Sequence, residues 1–416
     1  MKTKPVITKH RLSGLLTRLT SDVRGVCLLT GSAGGWKKRL AWDPCDSHSI
    51  DTGSSLDNSV FEFIGKHQAL NNLIVGFVSY NLGYGLHGLK PTKPDVLNLP
   101  NIALYAYDNY LEEVGGKVYA KYTHDEFLKS VENLKTYADA KITNSPAPDF
   151  RPQWTRRQYY EAFSKIKRHI FDGDVYQINL TQKLTAGYNG DSRTLFSNLA
   201  ENNTAKMMAY FEGEDFELIS MSPERFIRTR GQVIETFPIK GTRRRGKDKA
   251  ADRHNKKALL ADEKEKAELN MITDLLRNDL GKVCRAGSVN VIKKRAVEEL
   301  TAVMHTFSLI RGELGRNVSP AEALFSMFPG GSVTGCPKRK AMELIDELES
   351  SNRSAYCGSI AVIDGSGDLD SSILIRTIIQ KRNQLHLSVG GGIVHDSTAR
   401  SEYAESLDKA KSLIRS

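Results

Sequence analysis

The segment RFIRTRGQVIETFPI, Arg225 to Ile239, reads as two strands turned back on each other at Gly231-Gln232. Upstream of it, VYQINLTQ (residues 175–182) alternates, with Tyr176, Ile178 and Leu180 on one face and Gln177, Asn179 and Thr181 on the other. An amide- and hydroxyl-lined strand face suits a polar cavity and a solvent-facing sheet equally. Downstream, SSILIRTIIQ and QLHLSV predict another hairpin, while LIVGFVSY (73–80) and IALYAYD (102–108) predict strands nearer the N-terminus. Tyr159, Phe163, Ile166 and Ile170 recur at helical spacing, and that helix should stop by Gly173. A long helical pattern covers roughly Asn255 to Asp279. SPAEALFSMF opens on a capping box, with Ser319 as N-cap, Pro320 at N1 and Glu322 at N3. A further helix from Pro337 turns Ala341, Leu344, Ile345 and Leu348 inward, and the chain closes in a helix from about Ser401. Strands and helices that intermix without regular alternation predict an α+β fold with antiparallel sheets.

Length and composition narrow the function classes. At 416 residues the chain is long for one core, and length alone suggests two or three domains. Residues 1–150 form a strand-rich N-terminal part and 151–416 the more informative part, with SPAPDF (145–150) as a polar linker. No run approaches the roughly 20 apolar residues that cross a bilayer, and the basic N-terminus lacks an apolar stretch before a cleavage site. Five scattered cysteines without a CxxC pair read as reduced thiols in a cytoplasm. The net charge of +10 does not gather into a stripe: the densest stretch, Lys240 to Lys266, interleaves Asp248, Asp252, Asp262, Glu263 and Glu265. That argues against a nucleic-acid surface and for a solvated, self-paired one, while the positive balance would still draw in a small dianion.

Several residues could carry chemistry. Glu265/Glu268 and Glu402/Glu405 are ExxE pairs, each placing two carboxylates on one helix face. Together they would offer the hard oxygens that Mg²⁺ prefers, although ExxE on a helix is commonly solvated surface. Glu268 leads into Ile272 and Leu275 and so lies on an apolar stripe; the second pair lies off the stripe of Leu407, Ala410 and Ile414, with Lys409 placed to pair with Glu405. GGSVTGCPK (330–338) lacks the Lys-Ser/Thr of a phosphate-binding loop, and VGGGIVHD lacks dinucleotide spacing, so ATP and NAD are disfavoured. Lys240 ends an apolar strand before Gly241-Thr242 and is either a nucleophile or a lysine reaching for solvent. Arg376, mid-strand in ILIRTII, calls for a carboxylate partner on the protein or on a ligand, and His305 in AVMHTFS reads as a core histidine.

Taken together, the ordered blocks GDVYQINLTQ, SPERF, ETFPIKGTRRRG, EKAELNMITDLLRNDLG, VMHTFS, FPGGSVTGCPKRKAMELIDELE, YCGSI, IRT, VGGGIVHD and SEYAESLDKA resemble the chorismate-utilising enzymes. That resemblance spans about Gly173 to Ser416, and LIVGFVSYNLGY is similar to the family's N-terminal half, with Asn81 where aspartate is usual. It implies an anthranilate-synthase component I-like fold: two antiparallel β-sheets packed in a sandwich with helices outside. It also implies a magnesium ion held directly by Glu268 and Glu405 and through water by Glu265 and Glu402. Arg376 and Tyr356 would hold the enolpyruvyl carboxylate of chorismate with backbone around Gly390 and Gly392, and Thr242, His305 and Lys409 would complete the pocket. Gln177 stands where water-adding relatives have a lysine, which disfavours water as nucleophile.

The PIKGT form around Lys240 resembles the aminodeoxychorismate synthases, in which that lysine bonds to C2 as the C4 hydroxyl leaves and ammonia then takes C4. Glu224 would be the acid for the departing hydroxyl. The product serves 4-aminobenzoate and folate synthesis. No glutaminase nucleophile elbow is found, so a glutamine amidotransferase subunit is expected to supply ammonia within a heterodimer. Anthranilate synthase component I is the nearest alternative, and a non-catalytic chorismate-binding scaffold another. Cys336 where alanine is usual and Leu269 where Asn or His is common depart from the pattern, and the N-terminal half lacks a clear LLxS block.

Overall fold

The computed structural model describes residues 1–6, 11–136, 148–201, 203–301 and 303–414, so part of the expected linker, 145–147, lies outside the described residues. Its strands form two sheets in which every described pairing is antiparallel. The twelve-stranded sheet joins Lys2–Val6, Lys117–Tyr122, Tyr110–Val114, Lys38–Ala41 and Cys27–Thr30 to Met207–Glu212, Glu217–Ser222, Thr377–Lys381, Gln384–Ile393 and Gln177–Gly187. The ten-stranded sheet runs from Ile239–Arg244 and Val303–Glu313 through the predicted hairpin, Arg225–Arg230 with Val233–Thr236, to Leu73–Val78, Ile102–Tyr107 and Asp46–Ile50. Each sheet thus takes strands from both sides of residue 150.

Leu73–Val78 shows why the sheets stack. Successive side chains of a strand point to opposite faces. Leu73, Val75 and Phe77 enter a core shared with Leu29, Ala209, Phe211 and Leu218 of the other sheet. Ile74 and Val78 enter a second core against the helices Asn58–Ala69, Glu263–Gly281 and Pro320–Met327. A strand buried on both faces reads as a continuous apolar run, as LIVGFV does. The twelve-stranded sheet is backed in turn by helices that include Ser192–Glu201 and Ala399–Ile414. The architecture is the expected α+β sandwich with helices outside.

Three local expectations are corrected. The helical pattern from Asn255 to Asp279 is two helices, Lys249–Ala261 and Glu263–Gly281. Asp262 between them has extended backbone (φ −72°, ψ 105°), and its carboxylate accepts from Glu265 N–H at 3.0 Å; a capping side chain competes with helix continuation. SSILIRTIIQ is not one strand: Leu369–Ile373 belongs to the ten-stranded sheet and Thr377–Lys381 to the twelve-stranded one, so 374–376 cross between them. Among the described side chains of the C-terminal helix, Glu402, Ser406, Ala410 and Leu413 are buried, which puts Glu402 on the inner face rather than off it; the Ile414 side chain lies outside those described.

Arg353, fully buried, ties these layers together. Its guanidinium donates to both Glu349 oxygens (3.0 and 2.6 Å) and to the carbonyls of Val333 (2.8 Å) and Asn179, and it stacks 5.0 Å from the Tyr80 ring. Arg353→Met would strand a buried carboxylate. Urea midpoints should then report a loss of roughly 3–5 kcal/mol; a loss below about 1 kcal/mol would mean that the pair contributes little.

Candidate functional site

Glu224 lies in the short link between Glu217–Ser222 and Arg225–Arg230, held by its own N–H on Ser222 Oγ (3.2 Å) and its carbonyl on Ile373 N–H (3.1 Å). Its side chain faces a cavity of about 600 Å³, accepts from Ser332 Oγ at 2.7 Å, and is 7% exposed. Burial pushes its pKa from 4.5 up to about 7, against the lowering effects of the Ser332 hydrogen bond and the Lys240 charge.

Lys240 enters the same cavity from Ile239–Arg244. Phe237-Pro238 interrupts the preceding strand, so Lys240 begins a strand rather than ending one. The pairing with Val303–Glu313 slips between Lys240 and Thr242, and Gly241 between them has φ +67°. A side chain at 241 would start 2.4 Å from Glu265 Oε2, so both the turn and the carboxylate require glycine there. Lys240 Nζ is 3.5 Å from Glu268 Oε2, and its side chain is 16% exposed.

The four glutamates come from two helices. Glu265 and Glu268 stand on Glu263–Gly281, Glu402 and Glu405 on Ala399–Ile414, and all line the cavity. Arg243 pairs with Glu265 at 2.8 Å, yet burial dominates and raises that carboxyl's pKa; its other oxygen is buried without a hydrogen-bond partner among the described residues. Glu402 is buried and accepts from Ser397 Oγ at 2.6 Å. Lys264 lies 3.8 Å from Glu268 and 3.4 Å from Glu402. Burial works to raise Glu405, but Lys409 at 2.9 Å, with Lys264 and Lys240 nearby, holds its pKa below the usual value.

The rest of the lining adds cations and a glycine run, and a side chain at Gly391 would start 3.3 Å from Glu402 Oε2. Arg376 has φ +51° at the point where the chain crosses between sheets, and its carbonyl accepts from Met221 N–H at 3.0 Å. Its guanidinium has no hydrogen-bond or carboxylate partner among the described residues, and burial lowers its pKa. A non-glycine residue held in the left-handed region is costly and needs surrounding structure to fix it. Gly390, Gly391 and Gly392 form the run, Lys409 Nζ donates to Gly390 O at 2.8 Å, and Tyr356 lines the pocket with 5% exposure.

Gln177 and His305 are the two expected site residues that do not line the cavity. Gln177 is fully buried behind Gly392, where a side chain would start 3.0 Å from its Cδ, and both its amide atoms lack partners among the described residues. His305 sits opposite Thr242 on the neighbouring strand and pairs with Glu298 at 3.0 Å, as a core-edge histidine does. Sequence reasoning missed Lys264 and Ser332. Lys264 belongs to the charged stretch read as self-paired surface, of which Lys240, Arg243, Asp262, Lys264 and Glu265 in fact line the cavity. Ser332 lies in the glycine loop set aside as unsuited to ATP. Every lining residue falls between Asn179 and Lys409.

Chemically, the wall of four carboxylates is a hard-oxygen donor set, and the partnerless buried oxygen of Glu265 is an acceptor awaiting a cation or water. Among the described residues no three acidic, His or Cys side chains are grouped closely enough to hold an ion as they stand. The residue types fit a divalent ion, with lysine ammonium groups seated between them.

A family model described as chorismate binding enzyme matches residues 25–415, and the chain belongs to that family of chorismate-utilising enzymes. Within it, the chain is 38% identical to the aminodeoxychorismate synthase component 1 of Salmonella typhimurium, over 82% of this chain and 75% of that one. It is also 35% identical to an anthranilate synthase component 1 of Haloarcula marismortui, over 95% and 88%. The crystal structure of anthranilate synthase component I from Streptococcus pneumoniae superposes with a TM-score of 0.79 at 26% identity, covering 98% of this chain and 95% of that one. No described helix is long and apolar enough to cross a membrane.

The raised pKa of Glu224 has a stability consequence. Between about pH 4.5 and 7 the folded chain keeps a proton that the unfolded chain has released, so this group's contribution falls as pH rises through that window. Glu224→Gln should therefore gain stability relative to the parent between about pH 5 and 8 in urea titrations. A difference that stays constant across that range would mean the carboxyl titrates normally.

Proposed function

We propose that this chain aminates chorismate at C4, forming 4-amino-4-deoxychorismate with ammonia delivered by a glutamine amidotransferase subunit, in the manner of aminodeoxychorismate synthase component I. The observation that carries the reading is the presence in one cavity of Lys240, mostly shielded from solvent beside Glu268, and of Glu224, a buried carboxyl whose pKa, raised to about 7, leaves a large fraction protonated near neutrality. A nucleophilic amine and a proton-bearing acid share one cavity.

In the proposed sequence Lys240 Nζ, as the free amine, forms a bond to C2 of the ring. The two ring double bonds shift and the C4–O bond breaks. Glu224 gives its proton to the departing hydroxyl, which leaves as water; the alkylated nitrogen keeps both its protons and becomes a cationic secondary ammonium, whose charge balances the Glu224 carboxylate. Ammonia then bonds to C4, the double bonds shift back, and the C2–N bond breaks to return Lys240 as an amine. The new ammonium group supplies the proton that restores Glu224. Arg376, with no protein carboxylate to satisfy it, would bind the enolpyruvyl carboxylate together with Tyr356 and the backbone at Gly390 and Gly392. Thr242 and Lys409 would fix the ring's orientation, and Gln177 and His305 would support the wall from behind. Glu268 and Glu405 would hold a magnesium ion directly and Glu265 and Glu402 through water; the chemistry such an ion supplies is stabilisation of a bound carboxylate's charge. The free state of all five cysteines is in keeping with a reducing, cytoplasmic setting.

Incubation with chorismate, Mg²⁺ and ammonium salt, with products identified by mass spectrometry, tests the reading. 4-Amino-4-deoxychorismate is the expected product; fluorescent anthranilate appearing without any added lyase would favour the anthranilate synthase alternative. Lys240→Ala should abolish or redirect amination while chorismate binding persists, and C4 amination at the parent rate would exclude the covalent route. Glu224→Gln should lower the rate by about 10²–10⁴-fold.

A further inference from the structure

Lys264 differs from the other cations of the cavity in what it spans. Arg243 serves Glu265 (2.8 Å) and Asp262 (3.1 Å), Lys240 lies beside Glu268 (3.5 Å), and Lys409 pairs with Glu405 of its own helix (2.9 Å). Lys264, on the helix Glu263–Gly281, reaches Glu268 of that helix at 3.8 Å and Glu402 of the C-terminal helix at 3.4 Å. It therefore bridges the two helices whose carboxylates face each other.

The two ends of this bridge differ in freedom. Glu402 is 4% exposed and fixed by Ser397, whereas the Lys264 side chain is 42% exposed at the cavity margin. A flexible four-carbon stem at such a place can carry its ammonium out to water without unpacking the core. Glu268, proposed to hold the ion directly, is also a partner of Lys264, and a divalent ion and an ammonium at that one carboxylate repel each other and compete for its lone pairs.

We infer that Lys264 is a resident counter-cation: without a divalent ion it neutralises Glu268 and Glu402 and joins their helices, and ion binding displaces it into solvent. This rests on the proposed reading of the four glutamates as the metal site. Seating of the lysine lowers the fraction of molecules competent to bind metal, and apparent affinity falls by that fraction. The same contact stabilises the metal-free fold.

Mn²⁺ binding to the full chain, followed by the paramagnetic resonance of free Mn²⁺, and melting temperatures in EDTA test this. Lys264→Met should bind Mn²⁺ roughly threefold to tenfold more tightly and melt lower in EDTA than the parent. Lys264→Arg should behave as the parent. Lys266→Met is the charge control, since Lys266 pairs with Glu263 on the outer face at 2.8 Å, and it should leave affinity unchanged. Equal affinity for Lys264→Met and the parent would overturn the inference, as would an equal gain in Lys266→Met, which would reduce the effect to net charge. Failure of every protein to bind one Mn²⁺ per chain would instead overturn the metal-site reading, and this inference with it.

Discussion

Four carboxylates converging on one cavity repel each other, and the architecture around them is an answer to that repulsion. Glu265, Glu268, Glu402 and Glu405 are brought together by two helices far apart in sequence. Each helix is anchored by its own apolar contacts: Leu269, Ile272 and Leu276 for one, Ala410 and Leu413 for the other. Arg243, Lys240, Lys264 and Lys409 then offset the charge at distances of 2.8 to 3.8 Å. Partly buried pairs of this kind are screened less than surface ones, so the cations are a structural requirement as well as candidate chemistry.

The second constraint is the passage of the chain between sheets. Residues 374–376 leave one sheet for the other, and Arg376 is delivered into the gap with a left-handed backbone conformation. Gly241 plays a comparable part on Ile239–Arg244, where the pairing slips next to Lys240, which lies beside Glu268, and the missing side chain leaves room for the Glu265 carboxylate. Both are places where regular pairing fails, and both put a cation beside the cavity. Backbone irregularity here aims side chains that a regular ladder would have directed elsewhere.

Much of this was legible in the residues. The hairpin at Gly231-Gln232, the Ser319/Glu322 capping box and the double-faced burial of LIVGFV follow from local pattern. The ordered blocks located all but two of the site residues on the cavity wall. What failed was phase and partner. The stripe expected on the C-terminal helix, Leu407, Ala410 and Ile414, holds at Ala410, but the buried face also takes in the polar Glu402 and Ser406, and Leu407 is only half-buried. Lys264 was lost inside a charge run because its partner Glu402 is remote in sequence. SSILIRTIIQ was joined into one strand because apolar continuity carries no mark of a change of sheet.

The sequence by itself determined the class of fold, the family to which the chain belongs and the residue types present at the cavity, since periodicity, capping and ordered motifs are properties of neighbouring residues. The tertiary structure decided which carboxylates meet, which lysine bridges them, that burial raises the Glu224 pKa to about 7, and that Gln177 and His305 do not line the cavity. Those outcomes depend on distances and desolvation between segments remote along the chain, and such quantities exist only once the sheets and helices have packed.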